Sequence, residues 1–156
     1  MKNKIIIALF AGFMLLALSA CNNKPEIGEE FFNEVNSFKG MSLEIDQTTV
    51  SPLGATFVIL NTTDKEVLSG KPYQIALQME KDGQWHQMVV KSKQGEAETA
   101  EAYTYPQNEP RIVEVEWAKD YGVLTPGRYR IIKGFFIADP NGATESFMLA
   151  DEFEIT

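Results

Sequence analysis

Thiol and imidazole groups are almost absent from this chain, whose 156 residues include one cysteine, Cys21, and one histidine, His86. A single cysteine cannot form a disulfide within the chain, so a disulfide framework is excluded. A serine–histidine–aspartate triad or a histidine-ligated zinc site would have to use His86, and the chain has no Gly-x-Ser-x-Gly or Ser-x-x-Lys motif. Because His86 lies beside Trp85 in a predicted strand, we interpret it as a surface residue. We therefore expect a protein that is not an enzyme, with no catalytic residues, no cofactor and no metal site.

Two arrangements of side-chain oxygens have simple structural explanations. Glu114 and Glu116 lie two positions apart in a predicted strand, which is typical of the solvated face of a sheet rather than of a glycosidase acid pair. The run Asp139-Pro140-Asn141-Gly142 offers oxygen ligands, but the chain lacks the further regularly spaced acids of a calcium loop. We interpret this run as a turn.

Basic residues are in the minority, with 14 Lys and Arg against 22 Asp and Glu and a net charge of −8. Such an acidic chain is repelled by nucleic acid and by anionic lipid head groups, so we expect no nucleic-acid partner. A partner attracted by charge would be cationic, although solubility alone explains this balance. The chain is 44% hydrophobic and 11% aromatic, which is enough apolar material for one domain with its own core.

Long apolar runs are also scarce, and the most prominent one is the fourteen-residue stretch from Ile5 to Leu18. It is shorter than the roughly 20 residues that a membrane-spanning helix needs. Lys2 and Lys4 precede it, as the charged region of a secretory signal peptide precedes its apolar region. The sequence therefore predicts a signal peptide over residues 1–20.

The four residues Leu18-Ser19-Ala20-Cys21 resemble the lipobox of bacterial lipoproteins. The resemblance implies cleavage before Cys21 and acylation of that cysteine with fatty acids such as palmitate, which also removes a reactive unpaired thiol. Several acyl chains would make membrane attachment effectively permanent. The implied location is the cell membrane, lipid-anchored and facing outside the cytoplasm. The alternative is an ordinary secretory signal followed by a chance cysteine.

Residues 21–40 are interpreted as a tether, with a polar start and a run of aromatic residues later. Phe31, Phe32, Val35 and Phe38 recur at roughly helical spacing before Gly40, which predicts either a short helix or an extra edge strand. The predicted organisation is thus a signal peptide at 1–20, a tether at 21–40 and a domain at 41–156.

From Met41 onward, apolar residues alternate with polar ones, and turn residues interrupt the pattern every 8–12 positions. Asp82-Gly83 stands between two such runs and predicts a two-residue hairpin turn, because that turn needs positive φ at both positions. The alternation of Val113, Val115 and Trp117 predicts a further strand. About seven strands and little helix indicate an all-β domain, either a β-sandwich or a small barrel.

The segment from Trp117 to Phe135, which contains Leu124-Thr-Pro-Gly-Arg-Tyr129, resembles a signature of bacterial immunoglobulin-like domains. The final strand at 149–155 and the early segments 61–65 and 70–73 resemble the same family, so the resemblance covers most of residues 41–156 and is weakest at 91–110. It implies an immunoglobulin-like β-sandwich and a cell-surface setting, and it implies no reaction. It also implies that Tyr129 is a buried corner residue whose hydroxyl bonds to the backbone a few residues upstream. Trp85 and Trp117 are candidates for filling the space between the sheets.

The best candidate for recognition is the segment from Lys91 to Pro110, which carries Tyr103 and Tyr105. Aromatic residues on a sandwich loop can anchor a ligand, and the alternative is that both rings pack beneath a strand. Phe136, opposite in direction to Phe135, is expected either to be covered by the tether or to form an exposed apolar patch.

These observations favour a non-enzymatic lipid-anchored surface protein whose immunoglobulin-like domain binds a protein or another envelope component. The alternatives are a proteinase inhibitor of similar sandwich fold, with residues 91–110 as its protruding loop, and a carbohydrate-binding or cell-wall-binding module that uses Tyr103 and Tyr105. The expected partners are the membrane, through the lipid anchor, and an unidentified envelope component.

Overall fold

The computed structural model describes residues 27–28, 34–91, 101–138 and 144–156. They form nine β-strands and one helix of four residues. No helix in these ranges is long and apolar enough to span a membrane. In chain order, the elements are β1 Met41–Ile45, β2 Ala55–Asn61, β3 Val67–Ser69, β4 Ala76–Lys81, β5 Gln84–Gln87, β6 Tyr103–Tyr105, β7 Arg111–Val115, α1 Ala118–Tyr121, β8 Gly127–Ala138 and β9 Thr144–Ile155.

The strands form two antiparallel sheets packed face to face. The smaller sheet has the order β1-β2-β7, in which Ala55 lies opposite Val115 and Ile59 lies opposite Arg111. The larger sheet is built on the long strand β8, which pairs with β9 along one edge and with β4 and then β3 along the other. β5 extends the sheet beside β4, and β6 extends it beside β3. The predicted immunoglobulin-like β-sandwich is confirmed, with nine described strands in place of about seven.

The core lies between the inner faces of the two sheets, and every second residue of strands such as β1 and β2 is buried there. Phe57 and Ile59 from the smaller sheet and Tyr129 and Ile131 from the larger one are fully buried. Trp117 is 1% exposed and stacks on Phe153 with ring centroids 4.7 Å apart, so its predicted role as core filling is correct.

Trp85 does not fill the space between the sheets, and that expectation is wrong. Its partner in β4 is Glu80, which places both side chains on the outer face of the larger sheet. There the half-buried indole lies beside Arg130, whose guanidinium carbon is 4.6 Å from the ring centroid. Cation–π contact with an arginine gives Trp85 a packing role at the surface.

The local sequence pattern predicts the backbone conformation correctly at one turn and incorrectly at another. Asp82 and Gly83 have φ of 54° and 77° and join β4 to β5, as the hairpin prediction requires. The strand predicted through Trp117 instead ends at Val115, and Trp117 begins the helical turn of α1. In that turn the indole Nε1 donates a hydrogen bond to the carbonyl of Pro52 at 3.2 Å, so tertiary contact overrides the alternating pattern.

The part of the tether that the structure describes packs on the domain and is not helical over residues 34–40. The Asn36 side chain both donates to the carbonyl of Ala150 and accepts from its amide, at 3.0 and 2.9 Å. Phe38 stacks on Phe147 with centroids 4.1 Å apart. Ile27 forms an isolated antiparallel bridge with Met88, which agrees with the edge-strand alternative at that point. Phe31, Phe32 and the predicted turn at 139–142 lie outside the described residues.

Candidate functional site

The predicted site residues lie in different parts of the molecule. Cys21 is outside the described residues, as are positions 92–100 of the segment proposed for recognition. Tyr129 is fully buried in β8, and its hydroxyl donates to the carbonyl of Thr125, four residues upstream, at 2.7 Å. This is the contact expected of a corner tyrosine, and it belongs to the architecture rather than to a ligand site.

Tyr103 and Tyr105 do not form a pair of exposed rings. Tyr105 is 2% exposed, packs edge-on against Phe135 at 5.3 Å and shares a hydrogen bond of 2.8 Å with Ser69. Burial raises the pKa of the Tyr105 hydroxyl, which stays neutral. Tyr103 is half-buried and donates to the carboxylate of Glu101 at 3.0 Å, which raises its pKa. Tyr105 is therefore a core residue, and its expected role as a binding anchor is corrected by its burial.

The chain just after Tyr105 forms an open cleft of about 280 Å³, which we call the apical cleft. It is lined by residues at the crossing from the larger to the smaller sheet: Tyr105, Pro106, Glu109, Pro110, Arg111 and Ile112. Ile112 points outward from β7 at its rim and is 71% exposed, more than any other large apolar side chain that the structure describes. A single exposed aliphatic side chain is common on protein surfaces, and its place at the rim of a cleft makes Ile112 a candidate contact for a partner.

The apical cleft is held in place by Asn61, which lies at the end of β2 with no exposed surface. The Asn61 side-chain amide donates to the carbonyls of Tyr105 and Lys65 at 2.8 and 3.1 Å, and its backbone carbonyl accepts from Asn108 at 2.7 Å. Arg111 adds a hydrogen bond of 3.3 Å to the carbonyl of Thr104. These bonds fix the backbone of the cleft before any partner binds, which lowers the ordering cost of association.

The sequence pointed to the segment that holds the cleft but selected the wrong side chains. Tyr103 and Tyr105 lie two positions apart in β6 and therefore on the same face of the strand, which is the more buried one. The exposed surface is formed by the prolines and by Ile112 beyond them. A usable signal was present in the sequence. The residues Arg111–Val115 alternate, with Val113 and Val115 facing the core, so Ile112 must face solvent.

Glu114, Glu116 and His86, the described residues that were weighed as catalytic groups, lie in or directly after ordinary strands. Glu114 and Glu116 are both exposed, opposite the buried Val113 and Val115, as the solvated face of a sheet requires. His86 is half-buried in β5 opposite Met79. Among the described residues, no group of three His, Cys, Asp or Glu side chains could hold a metal ion.

A buried lysine in the larger sheet was not predicted. Lys133 is 3% exposed. It lies in the part of β8 between the residues that pair with β4 and those that pair with β3. Its ammonium donates to the carbonyls of Lys71 and Gln74 at 2.8 and 3.1 Å and lies 5.8 Å from the ring centroid of Phe135. Burial lowers the pKa of Lys133 to about 8. A cavity of about 300 Å³ adjoins Lys133. Its ammonium is bonded to backbone carbonyls of the loop between β3 and β4, so its role is to hold that loop in place.

Comparison with known proteins gives one match that covers most of the chain. The model of the family described as "Bacterial Ig-like domain" matches residues 37–154. No curated protein and no solved structure matches the chain. The matched range contains both sheets, the Tyr129 corner and the apical cleft. The chain therefore belongs to the family of bacterial immunoglobulin-like domains.

Proposed function

We propose that this protein is a non-enzymatic, lipid-anchored surface protein that binds a protein of the cell envelope through its apical cleft. Family membership supports an exported or surface module of the binding type, because bacterial immunoglobulin-like domains form a non-catalytic fold family and typically stand outside the cell. The anchor and the partner go beyond what family membership states.

The observation that carries the binding proposal is the exposed Ile112 at the rim of a cleft whose backbone is already fixed. Interfaces concentrate their binding energy in a few apolar or aromatic anchors surrounded by polar residues. Ile112 is such an anchor, and Glu109 and Arg111 provide the polar surroundings. The mouth is open, and two prolines and the charged side chains of Glu109 and Arg111 line it, so it suits a protein segment better than a deeply enclosed small molecule.

Binding is tested by an affinity pull-down with the soluble chain of residues 22–156 and with its Ile112→Asp variant. We expect one envelope protein to be retained in stoichiometric amount by the parent chain and lost in the variant, because the anchor is replaced by a charge. Leu53→Asp is the matched control, since Leu53 is 56% exposed and lies beside α1 at the opposite end of the sandwich. Equal retention by Ile112→Asp and by the parent chain would remove the apical cleft as the binding surface.

The alternative functions differ in what this experiment retains. A proteinase as the retained protein would favour the inhibitor alternative, which inhibition of a proteinase panel by residues 22–156 would then support. The carbohydrate alternative depended on two coplanar exposed rings, and the burial of Tyr105 leaves it without that platform.

The lipid anchor is tested separately by Cys21→Ser in the full chain. We expect this variant to lose fatty-acid labelling and to leave the membrane fraction, because no other acylated group would hold it there. Undiminished labelling of Cys21→Ser would overturn the lipobox interpretation.

A further inference from the structure

Exposed apolar side chains cluster around α1, at the end of the sandwich opposite the apical cleft. The structure describes six large apolar side chains that are more than a third exposed, and four of them lie in segments that meet at α1. We call these four the α1 seam: Leu53 at 56%, Val89 at 41%, Val90 at 36% and Val123 at 61% exposed.

Three backbone hydrogen bonds bring these segments together. The amide of Ala118 donates to the carbonyl of Leu53 at 3.1 Å, and the amide of Leu124 donates to that of Pro52 at 3.0 Å. The amide of Lys91 donates to the carbonyl of Asp120 at 2.6 Å. Because α1 has four residues and a length of about 6 Å, the segments that carry the four side chains of the seam lie close together.

The described chain begins beside this surface. Ile27 lies opposite Met88, and the amide of Gly28 donates to the carbonyl of Gln87 at 2.6 Å. Because the two segments are antiparallel, the chain followed backward from Gly28 to Ile27 runs in the direction from Gln87 to Met88. That direction leads toward Val89. A side chain added at Gly28 would come within 3.9 Å of the Val89 methyl group.

We propose that the α1 seam rests on the surface of the phospholipid bilayer to which Cys21 is anchored. This inference depends on the proposed acylation of Cys21. The six residue-to-residue steps from Cys21 to Ile27 span at most about 22 Å when fully extended. The strand β8, with twelve residues, is about 40 Å long, so the anchor is shorter than the domain that it holds. Such an anchor keeps the edge at Met88, Val89 and Val90 close to the bilayer.

The contact with lipid is apolar rather than electrostatic. Lys91 is exposed beside the seam, whereas Lys119 is paired with Glu116 and Asp120 lies in the same helix. The local charges nearly cancel, and the chain as a whole is acidic. Aliphatic side chains that enter the interface therefore supply the attraction, while the stem of Lys91 can extend toward the head groups.

This orientation directs the apical cleft away from the membrane. β2 and β7 both run between the two ends, with Ala55 and Val115 near the seam and Asn61 and Arg111 near the cleft. Seven residues of β2 place the ends about 20 Å apart. A protein docked on its seam would present Ile112 to partners outside the bilayer.

The test uses the acylated full-length protein, purified from membranes and reconstituted in vesicles of phosphatidylethanolamine and phosphatidylglycerol. Val123→Cys is labelled with the environment-sensitive dye NBD, since acylation leaves Cys21 without a free thiol. Ile112→Cys is the matched control, another exposed β-branched aliphatic position on the opposite end. We expect blue-shifted emission and quenching by doxyl-labelled lipid at position 123, and aqueous emission without quenching at position 112. Buried Trp117 reports whether each labelled protein is folded.

Mass spectrometry of the residue 21 peptide separates the possible failures. An acylated, vesicle-bound protein whose label at position 123 is as aqueous as that at 112 would overturn the seam and leave the anchor intact. An unmodified Cys21 would overturn the anchor and the seam with it. A blue shift without doxyl quenching would show that a second copy covers the seam, which overturns its assignment to lipid. A Gly-Ser insertion between Cys21 and Ile27 should reduce the quenching at position 123 if the short anchor holds the seam in place.

Discussion

Replacing Lys133 by methionine should change how the stability of the domain depends on pH. Lys133 is 3% exposed, and its ammonium is bonded to the carbonyls of Lys71 and Gln74. Within the described residues it has no carboxylate partner, so burial disfavours its charge and lowers its pKa from 10.5 to about 8. Methionine fills a similar volume without the charge, although the carbonyls of Lys71 and Gln74 lose the ammonium as a donor.

The direction of the effect follows from proton binding. Below pH 8 the lysine is protonated in both states, and the cost of burying its charge is constant. Between pH 8 and 10.5 the unfolded chain holds a proton that the folded chain has released, so the free energy of unfolding rises with pH. The slope approaches about 1.4 kcal/mol per pH unit above pH 8, and its integral gives about 2 kcal/mol between pH 7 and 9.5.

Urea unfolding followed by tryptophan fluorescence measures this change in the soluble chain of residues 22–156. We expect the stability of the parent chain relative to Lys133→Met to increase by about 2 kcal/mol from pH 7 to 9.5. Burial raises the pKa of Tyr105 and Tyr121 in both proteins. Subtracting the free energy of unfolding of one protein from that of the other at each pH therefore removes the contribution of these tyrosines. Parallel pH profiles would refute the argument, because they would show that the Lys133 pKa is not lowered in the folded protein.

Two further substitutions test contacts that fix the architecture. Asn61→Ala should destabilise the domain by about 3 kcal/mol, because it leaves the carbonyls of Tyr105 and Lys65 and the amide of Thr63 without their partner; an unfolding midpoint in urea close to that of the parent chain would contradict this. Tyr129→Phe should cost about 1 kcal/mol through the lost hydrogen bond to Thr125, and a thermal unfolding curve identical to that of the parent chain would show that the bond contributes nothing.

The parts of the fold that were predictable are those fixed by local backbone chemistry and by alternation. Asp82-Gly83 supplies the positive φ that a two-residue hairpin needs, so its position follows from the sequence alone. α1 could not be predicted in this way, because Trp117 continues the alternation of Val113 and Val115. What ends the strand is the hydrogen bond from the indole to Pro52, a residue 65 positions away.

The same distinction applies to Lys133 and Asn61, two of the five buried polar or charged residues among those that the structure describes. Tyr129, Ile131, Phe135 and Ile137 skip one inward position, and Lys133 occupies it, so its burial was present in the pattern as a gap. Its partners belong to the loop between β3 and β4, and only the folded chain brings them close. Asn61 likewise depends on distant partners, since its side-chain hydrogen bond to the carbonyl of Tyr105 spans 44 positions.

The placement of the candidate surfaces follows from how the chain crosses between sheets. At one end, the passage from β6 to β7 leaves the larger sheet for the smaller one and exposes Ile112. At the other, the passage from β7 to β8 returns through α1 and exposes Val123. The segment after β5 runs beside α1, and the bridge at Met88 brings the start of the described chain to that same end. An anchor at Cys21 and a partner at Ile112 would therefore act on opposite ends of one rigid sandwich, and neither surface has to change for the other to be used.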